Sequence, residues 1–120
     1  MMRIESDDSA DLDFVLSALM TGAISLGEMR LWCDHAIAVL DDPPEWLLEL
    51  ADFDGPAAEA YTVVGFAPHG YNGSKAALAG IAVERGRVID ETFQSREAAL
   101  EALRRHPDVA ARFWTAFPFA

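Results

Sequence analysis

The chain has 120 residues, 52% of them hydrophobic and 24% charged, with a formal net charge of −11. That length fits one domain, large enough to bury a core without disulfide or metal support, and the composition excludes intrinsic disorder. Residues 1–60 hold 14 acidic and 2 basic side chains and residues 61–120 hold 6 and 7, which argues against binding nucleic acid or an anionic membrane, since both need clustered Lys and Arg.

Residues 1–8 are expected to fray. Met1 to Asp13 is acidic where a secretory signal needs a basic start and an apolar run. No apolar stretch approaches the ~18 residues of a membrane span, and the lone Cys33 cannot form an internal disulfide. The expectation is a cytoplasmic protein with no membrane association.

The first helix is predicted over about Ala10 to Thr21, where Leu12, Val15, Leu16 and Leu19 recur at helical spacing. Ser9 is its candidate N-cap, Asp11 and Asp13 suit the positive end of the helix dipole, and Gly22 ends it. Ser25-Leu26-Gly27-Glu28 has the spacing of a capping box and opens a second helix to about Leu40. Its apolar stripe is Leu26, Met29, Cys33, Ala36, Ile37 and Leu40, widened by Trp32; on the other side Arg30 and Asp34 are spaced as an (i, i+4) ion pair. Asp41-Asp42-Pro43-Pro44 breaks this helix and starts a third, with Asp42 as N-cap and the prolines in the first turn. There Trp46, Leu47 and Leu50 face inward, Glu45, Glu49 and Asp52 outward, and Gly55-Pro56 stops it.

Pro56 to Val64 suits a helix, but Tyr61 to Phe66 also has strand composition. Pro68 to Gly73 is a loop. Ser74 caps an alanine-rich helix to about Arg85 with Gly86 behind it; a hairpin around Arg85-Gly86 is the rival. Ser95 opens a helix to Arg105 with Leu100 and Leu103 inward. After His106-Pro107 a last helix carries Val109, Ala110, Phe113, Trp114 and Phe117. The aromatic stretch Phe113 to Phe119 is expected to pack in the core, with an exposed partner-binding patch as the other reading. The fold class that follows is mainly α: one compact domain of about six helices over residues 1–120, with a short hairpin in residues 56–94 as the variant.

Catalytic patterns are sparse. His35, His69 and His106 lie in no metal-ligand spacing, and one cysteine cannot build a structural zinc site. No metal or cofactor is therefore expected. Cys33 falls on a buried stripe, as a small core hydrophobe. There is neither a G-x-S-x-G elbow nor a P-loop. Tyr71-Asn72-Gly73-Ser74-Lys75 resembles the Tyr-x-x-x-Lys segment of short-chain dehydrogenases, but the chain lacks their glycine fingerprint and βαβ alternation, and the match is rejected. His69 beside Tyr71 is the most enzyme-like feature, and the expectation is that the protein is not an enzyme.

Ile24-Ser25-Leu26-Gly27-Glu28-Met29-Arg30-Leu31-Trp32, followed by Asp42-Pro43-Pro44-Glu45-Trp46-Leu47-Leu48-Glu49-Leu50, resembles small helical immunity proteins encoded beside bacterial polymorphic or contact-dependent toxins. The resemblance covers roughly residues 10–55. It implies a protein that binds a cognate toxin and occludes its active site or substrate surface. A basic toxin domain would complement the acidic half, with charge steering speeding capture. The expected contact face is Asp41, Asp42, Glu45, Glu49, Asp52 and Asp54. The alternative is a helical adaptor or regulatory subunit of a bacterial complex that uses its C-terminal aromatic surface; a small enzyme around His69 and Tyr71 comes third.

Overall fold

Helix α1 (Ala10–Met20) is apolar around most of its circumference, and a helix of that kind needs cover on every side. In the computed structural model, which describes residues 2–92 and 94–120, Ala10, Leu12 and every residue from Phe14 to Leu19 are buried. Helix α5 (Lys75–Glu84) is the second such helix, buried from Ala77 to Val83. Helices α2 (Leu26–Val39) and α3 (Glu45–Ala51) pack on each other, and α2 also meets α1. Helix α4 (Ala60–Val64), preceded by a 3₁₀ turn at Ala57–Glu59, packs against α3. Helices α6 (Arg96–Arg105) and α7 (Pro107–Ala116) both pack on α5. The mainly helical class holds, with seven α-helices and no strand among the described residues. The radius of gyration, 13.9 Å, matches the roughly 13.6 Å of a folded chain this long.

Helix ends follow their local chemistry where the cap is a near neighbour. Ser25 Oγ accepts from Glu28 N while Glu28 Oε1 accepts from Ser25 N, completing the capping box. Ser74 and Ser95 each accept from the backbone three residues on. Helix α5 ends in a Schellman arrangement: Gly86, at φ +74°, donates to the Val83 carbonyl, and Arg87 to that of Ala82. No hairpin forms around Arg85-Gly86, and residues 57–64 are helical, a 3₁₀ turn running into α4.

Four local expectations are corrected. Residues 2–8 do not fray: Ile4 is 2% exposed, and Glu5 and Asp8 exchange backbone hydrogen bonds. The Arg3 carbonyl accepts from Asp11 N and Leu12 N, serving donors that α1 cannot satisfy itself; Met1 lies outside the described residues. Ser9 therefore caps α1 with no side-chain bond; its hydroxyl accepts from His69 N instead, at 2.9 Å. At α3 the N-cap is Pro44, in extended geometry, and not Asp42. Each proline disfavours helical backbone in the residue before it, so Asp42 and Pro43 stay outside the helix. Finally, Arg30 does not pair with Asp34; its Nη1 donates to the Phe53 carbonyl at 3.0 Å. That carbonyl, behind the end of α3, is a better acceptor site than a screened surface carboxylate.

Arginines behind α5 tie the second half of the chain to the turn after α1. Arg85 reaches back from the end of α5 to hold both oxygens of Glu28, at 3.0 and 2.5 Å, and the Ala23 carbonyl at 2.6 Å. Arg87 Nε donates to the Gly22 carbonyl at 2.5 Å.

Candidate functional site

The acidic residues singled out from sequence fall along one segment. Glu45, Glu49 and Asp52 share the outward side of α3 with Leu48, at i, i+3, i+4 and i+7, above buried Leu47 and Leu50. Asp41 and Asp42 sit in the bend before α3, and Asp54 follows its end. All six carboxylates are exposed, and among the described residues none takes part in an ion pair. Between Arg30 and Lys75 there are eight acidic residues and no Lys or Arg; the Arg30 guanidinium, bonded to the Phe53 carbonyl, is the cation that reaches the Asp52–Asp54 end of the segment. Other acids of the same half are used inside the fold: Asp8 pairs with Arg3, Glu28 with Arg85 and Asp11 with Arg112.

A concave site lies elsewhere, between α1, α2 and α7. It is a half-open groove of about 410 Å³, within the size range of small-molecule pockets. Helix α1 supplies Asp11, Phe14 and Val15; α2 supplies Trp32, His35 and Val39, one residue per turn along its edge; α7 supplies Arg112, Thr115 and Ala116; Phe119 closes one side. The walls are mainly apolar, and the charged groups are concentrated in one pair. Arg112 Nη2 lies 3.3 Å from Asp11 Oδ1, and the guanidinium sits over the Phe14 ring, 4.7 Å from its centroid.

No family model, curated protein or solved structure matches this chain.

The loop with the most enzyme-like residues is packed against the start of α1. His69 exchanges hydrogen bonds with the Ser9 hydroxyl, Tyr71 N donates to Asp13 Oδ2 at 3.0 Å, and the His69 ring meets the Ser6 carbonyl at 3.2 Å. Gly70, at φ +104°, lies so close to Ala10 that a Cβ there would stand 3.1 Å from the alanine's own. Tyr71 is buried with its ring edge-on to Phe14, and its hydroxyl donates to the Ser74 carbonyl. Burial pushes this phenol up, opposite to the depression a catalytic tyrosine beside lysine needs. Neither His69 nor Tyr71 lines the groove.

Cys33 is wholly buried, and burial pushes its thiol up to about 12. Among the described residues no group of three His, Cys, Asp or Glu side chains is placed to hold a metal ion, and no helix is long and apolar enough to cross a membrane. The C-terminal aromatics divide: Phe113 and Phe117 are fully buried, while Trp114 is 48% and Phe119 41% exposed. Sequence reasoning missed the groove because its residues come from three distant segments. One signal was present: Arg112 is the one Lys or Arg in the last helix.

Proposed function

We propose that this chain is a non-enzymatic protein-binding domain of the immunity type, which docks a basic toxin domain on the face from Asp41 to Asp54 and occludes it. The observation that carries the proposal is six exposed carboxylates in one segment without a salt bridge among the described residues. Like charges so spaced repel one another, and a basic surface relieves that repulsion as it binds. Leu48, 46% exposed between Glu45 and Glu49, adds an apolar contact at the centre. Steering by the negative field makes association fast and strongly salt-dependent.

The test is co-expression with the toxin encoded by the adjoining gene. This protein should abolish killing, and Glu45→Lys with Glu49→Lys should restore it while circular dichroism and thermal stability stay unchanged. Unabated killing in the presence of the parent protein rejects the proposal. The adaptor reading has its own support in the exposed rings of Trp114 and Phe119. It expects the charge reversal to leave partner binding intact and Trp114→Ala to weaken it.

A further inference from the structure

We propose that the groove between α1, α2 and α7 binds a free α-amino acid with a large apolar side chain. The groove carries one negative and one positive group side by side, each with unused hydrogen-bonding capacity. Arg112 makes both of its polar contacts through Nη2, to Asp11 Oδ1 at 3.3 Å and the Ala10 carbonyl at 3.4 Å. Its Nε and Nη1 donors meet no acceptor among the described residues, although a guanidinium presents five N–H bonds. Asp11 accepts a firm bond on Oδ2 from Arg3 N, at 2.7 Å, while Oδ1 has only the long contact to Arg112. A carboxylate has about four acceptor positions, so it retains room for a cation.

Charge matching selects among small ligands. A simple carboxylate would satisfy Arg112 but place its charge against Asp11; a simple amine would do the reverse. An α-amino acid carries ammonium and carboxylate two covalent bonds apart and so can answer both members of a 3.3 Å pair at once. Apart from His35 and Thr115 the remainder of the site is apolar: Trp32, Val39 and Phe119 line it, and the last two are 55% and 41% exposed, surface that a large side chain would cover. A volume of about 410 Å³ accommodates such a ligand. No residue of α3 lines the groove, so the inference stands apart from the acidic face.

The experiment titrates isotope-labelled protein with L-phenylalanine, 3-phenylpropionate, phenethylamine and N-acetylphenylalanine amide. It follows the Trp32 indole and the Val39 and Ala116 methyl signals, with affinities from calorimetry. L-phenylalanine should shift those signals saturably. The two compounds lacking one charge should bind at least about tenfold more weakly, the loss of one charge-assisted hydrogen bond. Ala116→Phe, which fills the groove, should abolish binding; should that variant misfold, Val39→Lys at an exposed position makes the same test. Glu45→Lys with Glu49→Lys should leave the affinity unchanged whatever its effect on a protein partner. The proposal is overturned by no saturable shift at millimolar L-phenylalanine, by equal binding of either singly charged compound, or by shifts confined to residues outside the groove. Equally tight binding of the neutral amide also overturns it, by pointing to a peptide as occupant.

Discussion

Gly80→Ala offers the sharpest test of the packing, because helix propensity and tertiary structure predict opposite signs. In a helix interior, alanine is favoured over glycine by about 0.8–1.0 kcal/mol, so propensity alone predicts a more stable protein. Yet a Cβ on Gly80 would stand 2.8 Å from Leu103 Cβ and closer still to the Ala99 carbonyl oxygen. Overpacking of this kind costs about 1–3 kcal/mol. Here the obstacle is the backbone of α6, which cannot rotate aside, so the upper end applies and the net loss is about 2 kcal/mol. Urea unfolding followed by circular dichroism measures it as a lower midpoint at unchanged m. Gly27→Ala is the control: its new Cβ would meet nothing nearer than Ser25 Oγ at 3.8 Å, and a gain of a few tenths of a kcal/mol is expected. If Gly80→Ala unfolds at the parent's midpoint or above it, α5 and α6 do not approach as closely as described.

Glu28→Gln removes the ion pair and weakens the capping box together, and should cost roughly 1–3 kcal/mol at neutral pH. Arg85 holds the Glu28 carboxyl below its ordinary 4.5. Its contribution is therefore full above that ordinary value and lost as pH falls through the lower, folded value; parent and variant midpoints should converge in acid. Phe117→Ala, at a fully buried ring stacked on Phe14, should cost about 3–5 kcal/mol, and Trp114→Ala, at a half-exposed ring, about 1 kcal/mol; equal losses in urea titrations would contradict the division of the aromatics. Cys33 should react with a thiol reagent at mildly alkaline pH only as fast as the core opens. Prompt labelling of the native protein would place that thiol outside the core.

Sequence revealed structure wherever cause and effect lie within a few residues. The Ser25/Glu28 capping box, the serine caps at Ser74 and Ser95 and the terminating Gly86 all act over one turn, and all were legible. Tyr61 to Val64 was ambiguous because β-branched residues suit a strand as well as a buried helix face, and only packing against α3 decides it. The ordering of residues 2–8 was hidden because Arg3 serves donors of α1 from eight residues away. The exposure of the acidic face was legible from helical phase. The groove was not: Asp11 and Arg112 stand 101 residues apart, and no local periodicity brings them together.

Arg85 and Arg87 reach back 62 and 65 residues to the turn between α1 and α2. During synthesis that turn must wait, since the side chains that tie down its carbonyls emerge long after it does. Helix α1 meanwhile is apolar on the side that α5 will later cover, so an isolated N-terminal half keeps an adhesive surface exposed. The chain can mature only as a whole, and amide hydrogens of α1 and α5 should exchange together, through the same global opening.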